Sequence, residues 1–195
     1  VTGITAFPPP EQYAGQHSAS PKGGEASIKE RKHLMNYRAQ RNASECRNAS
    51  ERKIVRNIEN LGWSLMGVLD EPPFLYTVGL EHSFEHPELI VLGMPTTLAA
   101  GLLNELGNKI AQGWHFREGD FCPGEAVHCS CPLLFGEVSQ EAQSDYLLYA
   151  HWFYHGNDFR TLQVLWPDRH NRFPGDPCFS EELVEQQPLL NIVWA

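Results

Sequence analysis

The chain reads as an α+β fold: a mainly antiparallel sheet with two packed helices and an N-terminal helix. Three observations carry this. Apolar segments at Trp63–Leu69, Phe74–Leu80 and Leu89–Met94 follow one another with only turns between them, whereas parallel neighbours need a long crossover, usually a helix. Two later segments show helical spacing. The 195 residues, 42% hydrophobic and 20% charged, suit one well-cored domain with an appendage.

Each element has its own signal. Residues 1–27 are rich in Pro, Gly, Ser and Ala and are expected to be disordered. Residues 1–50 as a whole read as a basic, largely disordered or helical extension, and 51–195 as the α+β domain. Because Met35 precedes the first amphipathic helix, residues 1–34 are expected to lie upstream of the translation start. Arg41-Asn-Ala-Ser-Glu45 recurs as Arg47-Asn-Ala-Ser-Glu51, too short a period for a solenoid. Ile54, Val55, Ile58 and Leu61 share one helix face, and Gly62 is placed to close that helix in a left-handed conformation. Asp70-Glu71-Pro72-Pro73 separates the first two strands. Pro95-Thr96-Thr97 opens a helix with Leu98, Leu102, Leu103, Leu106 and Ile110 on one side, and Gly113 follows it. Ala126–Val138 reads as one or two strands. Ser144 to His155 is an aromatic helix ending at Gly156, and exposed aromatics on it would form a homodimer face. Thr161–Trp166 is the last strand, and Pro188 to Trp194 is expected to dock on the core.

Charge narrows the partner classes. Residues 1–56 hold ten Lys and Arg against five Asp and Glu, a net of +5. Residues 57–195 hold five against nineteen, a net of −14. So acidic a body repels phosphate backbones, which argues against nucleic-acid binding. No apolar run reaches membrane-helix length and no signal-peptide hydrophobic region is present, so no membrane partner and a cytoplasmic location are expected. Five cysteines without an export signal argue against a disulfide framework. The chain has no G-x-G-x-x-G, no P-loop and no G-x-S-x-G.

Pro73-Phe74-Leu75-Tyr76-Thr77-Val78-Gly79-Leu80 and His86-Pro87-Glu88-Leu89-Ile90-Val91 carry a resemblance. So do Trp152-Phe153-Tyr154, Leu162-Gln163-Val164-Leu165-Trp166-Pro167-Asp168 and Arg172-Phe173-Pro174. Over roughly residues 52–190 the chain resembles the bacterial family catalogued as domain of unknown function 4262. The resemblance implies a single compact domain and no established activity. Glu85 stands where that pattern expects a small residue, and His151 and His155 lie outside it.

His82-Ser83-Phe84-Glu85-His86 spells the H-x-x-E-H of inverted zincins, but that chemistry needs a helix and Pro87 pushes His86 toward extended geometry. The five residues are therefore expected in a turn between strands. A weaker metal reading keeps His82, His86 and Glu88 as ligands of a divalent metal. His151 and His155 share a helix face, with partly buried core histidines the simpler account. His128-Cys129-Ser130-Cys131 is expected to put two thiols on one face of a strand, with Cys122 and Cys178 as further zinc donors only if they converge. Cys46 and Arg52 have phosphatase spacing without the glycines a phosphate cradle needs.

The ligand-binding candidates are Tyr76, Thr77, His82, His86, Glu88, Gln163 and Asp168, polar residues inside otherwise apolar motifs. Tyr76, Thr77 and Gln163 are expected to form a network, as structural glue or as a pocket floor. The reading that follows is a small-molecule or protein-binding domain with a pocket near the His-Pro-Glu turn. The alternative is an enzyme at the same place, a metal-dependent hydrolase or a flavin protein with a split-barrel-like sheet.

Overall fold

The computed structural model describes residues 41–191 apart from 70, 128, 157 and 158. The expectations for residues 1–27, for 1–34 and for 192–194 fall outside them.

Helix α1, Ala49–Leu61, begins where Asn48 accepts the Glu51 amide at 2.9 Å, and Glu51 reaches back to the Arg47 amide at 2.5 Å. Asn42 and Glu45 make a related cap on a short 3-10 turn, Ala43–Glu45, where Asn42 accepts the Ser44 amide and Glu45 the Asn42 amide. The near-repeat Arg-Asn-Ala-Ser-Glu is thus one capping motif used twice. Arg41 donates its amide to the Phe153 carbonyl, which ties the first described residues to the end of the aromatic segment. Gly62, at φ 97°, closes α1 as its position suggested. Ile54, Val55 and Ile58 are buried, but Leu61 is 55% exposed because the helix ends there.

Strands β1 (Ser64–Val68), β2 (Phe74–Val78) and β3 (Glu88–Leu92) follow. Between β2 and β3 lies α2, Leu80–Phe84, a single helical turn. Then come α3 (Thr96–Ala111), β4 (Phe121–Cys122), β5 (Leu133–Glu137), α4 (Gln140–Tyr146), α5 (Leu148–Phe153), β6 (Thr161–Leu165) and α6 (Glu181–Val184). The strands form one sheet in the order β1-β2-β3-β6-β5-β4. All neighbours are antiparallel except β3 and β6, where Glu88 pairs with Thr161 and Ile90 with Gln163.

Alternation along the strands sends side chains into two layers. Leu89, Val91, Leu162 and Val164 pack on the α3 side with Leu103, Leu106 and Phe116. Tyr76, Val78, Ile90 and Leu92 pack on the other side with Ile54, Ile58, Phe153, Tyr154 and Leu190. Residues of β3 and β6 are buried throughout, as expected of central strands covered on both faces.

Several expectations are corrected. The aromatic helix is two helices, because Leu147 (φ −104°, ψ 49°) leaves the helical region while its side chain stays buried. Phe153 and Tyr154 are buried against the sheet, and Tyr146, Tyr149 and Trp152 are partly buried on the same cluster, which leaves the homodimer reading without the exposed face it assumed. Leu98 is 63% exposed on the first turn of α3. Among the described residues Ala126–Val138 holds one strand, within the one or two expected, but residues 124–127 form a 3-10 turn and the short β4 lies in what reads as a connection.

The C-terminal segment docks through Gln163. Its Nε2 donates to the Pro188 carbonyl at 2.7 Å and its Oε1 accepts the Leu190 amide at 2.9 Å. Gln163→Leu should therefore lower unfolding stability in urea by about 1–3 kcal/mol and speed hydrogen exchange at the Leu190 amide. Unchanged exchange there would contradict this role.

Candidate functional site

The polar centre of the molecule is Glu88, the first residue of β3, whose side chain is fully buried. Its carboxylate accepts four hydrogen bonds. Thr77 Oγ1 donates to Oε2 at 2.6 Å, while the Gly79 amide (2.8 Å), the Glu81 amide (3.3 Å) and the Tyr154 hydroxyl (2.5 Å) donate to Oε1. Two of these donors are fixed in turn, since Thr77 Oγ1 accepts the Leu89 amide and Tyr154 Oη accepts the His82 amide.

The local sequence explains the convergence. Gly79 at φ 111° turns the chain from β2 into α2, and a Cβ there would sit 2.7 Å from Ile58 Cγ1. Only glycine allows that turn beside α1. Glu85 closes α2 at φ 54°, in the left-handed region where a small residue is natural, and Arg160 Nη2 bonds its carbonyl at 2.6 Å. Burial pushes the Glu88 carboxyl above its ordinary pKa against the opposing pull of the four donors. Burial, then the nearby Glu88 charge, holds the Tyr154 phenol protonated well above its ordinary value.

The other candidates separate. His86 is fully buried on the α3 side, its ring 5.8 Å from that of Phe116. Its Nδ1 lies 2.7 Å from the Pro87 carbonyl and its Nε2 accepts the Phe116 amide at 3.0 Å. The imidazole is therefore the neutral Nδ1–H tautomer, with both nitrogens engaged. His82 lies on α2 and not in a turn, its ring edge-on to Phe153 at 5.9 Å. Tyr76 Oη accepts the Tyr149 amide, Thr77 serves Glu88, and Gln163 holds the C-terminal segment, so these three make separate contacts and not one network. Asp168 lies beyond the opposite end of β6, about 16 Å of strand away, where it closes a turn on Arg172 with bonds of 2.7–3.1 Å.

This geometry corrects the ligand sets. His82, His86 and Glu88 do not converge, because His86 faces the α3 layer and Glu88 the α5 layer. Cys129 and Cys131 Sγ are 3.6 Å apart, but they lie on an irregular segment and not on a strand. Burial pushes the Cys131 thiol up to about 12 and the Cys122 thiol up to about 11, as in apolar surroundings. Among the described residues no group of three His, Cys, Asp or Glu could hold a metal ion. The sheet is open, with β1 and β4 at opposite edges, so the split-barrel analogy behind the flavin reading has no counterpart in the topology.

What sequence reasoning missed is a cleft of about 420 Å³ beside Glu88, where β3 and β6 begin and β5 ends. Glu81, Glu137, Ser139, Gln140, Gln143, Arg160, Thr161 and Asn191 supply its polar lining, with Phe159 as an apolar wall. Phe159 stacks on Tyr154 at 5.0 Å, which ties the wall to the Glu88 centre. Thr161, 2% exposed, is the strand partner of Glu88, yet among the described residues its Oγ1 has no hydrogen-bond partner. The same holds for Asn191 Oδ1. Strand alternation was the available signal, because Thr161 shares its sheet face with Gln163 two residues on.

The imidazole gives a direct check. Burial takes the His86 pKa from 6.5 to about 3, so its neutral form stabilises the fold above pH 6.5 and that contribution is lost as pH falls toward 3. Ring-nitrogen NMR should show no His86 titration at 6.5 and a proton on Nδ1. An ordinary midpoint would refute this environment.

Among the described residues no helix is long and apolar enough to cross a membrane. No curated protein matches the chain, and neither does any solved structure. The pattern of the family described as domain of unknown function (DUF4262) matches residues 57–180, a span that includes Glu88 and all the polar cleft residues named except Asn191; the chain belongs to that family.

Proposed function

We propose that this protein is a small-molecule-binding module that works without catalysis, and that its ligand occupies the cleft beside Glu88. The observation carrying this is the Thr161 hydroxyl. A buried hydroxyl without a partner costs about 1–3 kcal/mol; it has almost no accessible surface here, so a ligand seated in the cleft would reach it through a small side-chain rotation and supply the missing hydrogen bond. Asn191, a second lining residue, likewise has a buried Oδ1 without a partner among the described residues. The cleft volume is also in the range of small-molecule sites.

Glu88 and Tyr154 stand behind this cleft as its frame. All four donors to Glu88 are intramolecular, and the carboxylate is sealed from solvent, so a proton-transfer role would require the centre to open. This favours binding over the hydrolase alternative. A cytoplasmic location agrees with the five free cysteines. The strongly acidic composition from residue 57 onward supports a partner other than nucleic acid.

The test is amide NMR on the full chain with a mixture of free amino acids, amines, diols and carboxylates. Binding should move the amides of Gln143, Arg160, Thr161 and Asn191. Thr161→Val keeps the side-chain shape and should weaken binding about tenfold, as loss of one buried hydrogen bond does. Equal binding by the variant, or shifts confined to other surfaces, would count against the cleft.

A further inference from the structure

The lining of this cleft is uneven in both charge and hydrogen-bond sense. Arg160 is already committed: its Nε and Nη2 pair with the Glu81 carboxylate at 3.0 and 2.9 Å, and Nη2 also serves the Glu85 carbonyl. That pair cancels. Glu137, exposed at the end of β5, has no cation paired with it among the described residues, so the lining keeps one net negative charge. Of the groups lining this cleft, the two that are buried without a partner among the described residues are both oxygens, Thr161 Oγ1 and Asn191 Oδ1.

An incoming anion would meet an unpaired carboxylate and two lone-pair oxygens, with the one guanidinium already neutralised. A neutral diol would satisfy the oxygens and leave the charge unanswered. An ammonium group carries three N–H donors and a positive charge, and so matches all three groups. The field of the acidic body attracts cations over a longer range in the same sense.

Resting on the binding reading above, we propose that the cleft takes a small molecule bearing a protonated primary amine. The ammonium donates to Thr161 Oγ1 and Asn191 Oδ1, and the Glu137 carboxylate supplies the countercharge at the mouth. Phe159 offers an apolar wall to the hydrocarbon part of the molecule.

A second cleft of about 550 Å³ serves as an internal control. It is lined by Glu71, Glu182 and Glu185 with Pro72, Pro73 and Pro95, and is the more acidic of the two, since no Lys or Arg lines it. None of its lining residues is among those with a buried polar atom left without a partner. Charge alone would fill both clefts. The amine assignment fills only the first.

Three four-carbon probes separate the cases: putrescine, 1,4-butanediol and succinate, each titrated into the full isotope-labelled chain at neutral pH and constant ionic strength. Putrescine should shift the amides of Glu137, Thr161 and Asn191, butanediol should bind about tenfold more weakly, and succinate should leave them unmoved. Glu137→Gln, at an exposed position, should weaken putrescine about fivefold without changing Tm, and Thr161→Val should weaken it further. Succinate or butanediol binding as well as putrescine at these amides overturns the amine assignment and leaves the binding reading standing. Putrescine shifts of equal size around Glu182 and Glu185, or insensitivity to Glu137→Gln, also overturn it. Silence of the cleft amides toward all three probes and toward the broader mixture removes both readings.

Discussion

One buried carboxylate joins five pieces of this chain. Thr77 comes from β2, Gly79 from the turn after it, Glu81 from α2, Glu88 itself from β3, and Tyr154 from the residue after α5. Burying a carboxyl group is costly, and a group of this kind persists only when its oxygens are satisfied. Here the satisfaction is complete and local, and it fixes where α2 starts and how closely the end of α5 approaches the sheet. The sharp bend at Gly79 is what aims two backbone amides at one oxygen.

The parallel contact between β3 and β6 extends that order to the surface. It sets Thr161 opposite Glu88, so the rigid centre and the cleft share a pair of neighbouring strands. Phe159 and Tyr154 continue the link through stacked rings. A ligand in the cleft would touch residues that a buried network already holds in place. Such prior ordering lowers the entropy lost on binding.

Much of this architecture was legible. Strand alternation, the glycine after α1 and the spacing of α3 give the α+β layout, because each is a local pattern that tertiary contacts reinforce. Glu88 was marked as a polar residue in an apolar motif, and it is the hub. Its partners were harder to see. Tyr154 reads as one more core aromatic, since nothing in a sequence says which phenol will reach a carboxylate 66 residues away. His82, His86 and Glu88 looked like one set because they are close in sequence. The left-handed Glu85 and the start of β3 send them to opposite faces of the sheet. The cleft was invisible for a similar reason: Glu81, Glu137, Thr161 and Asn191 meet only through the strand order. Asp168 closes a turn with Arg172, a local structural task that composition does not distinguish from ligand binding.

The role of Glu88 is tested most directly by urea unfolding of the wild-type chain and Glu88→Gln across pH. The amide cannot accept at both positions, so the variant should be less stable by about 2–4 kcal/mol. Because the folded pKa of this carboxyl lies above 4.5, the folded state binds more protons than the unfolded state over that window, and the lead of the wild type should shrink as pH rises through it. A variant as stable as the wild type would contradict a buried carboxyl group that organises this end of the sheet, and a lead that grows with pH would contradict its raised pKa.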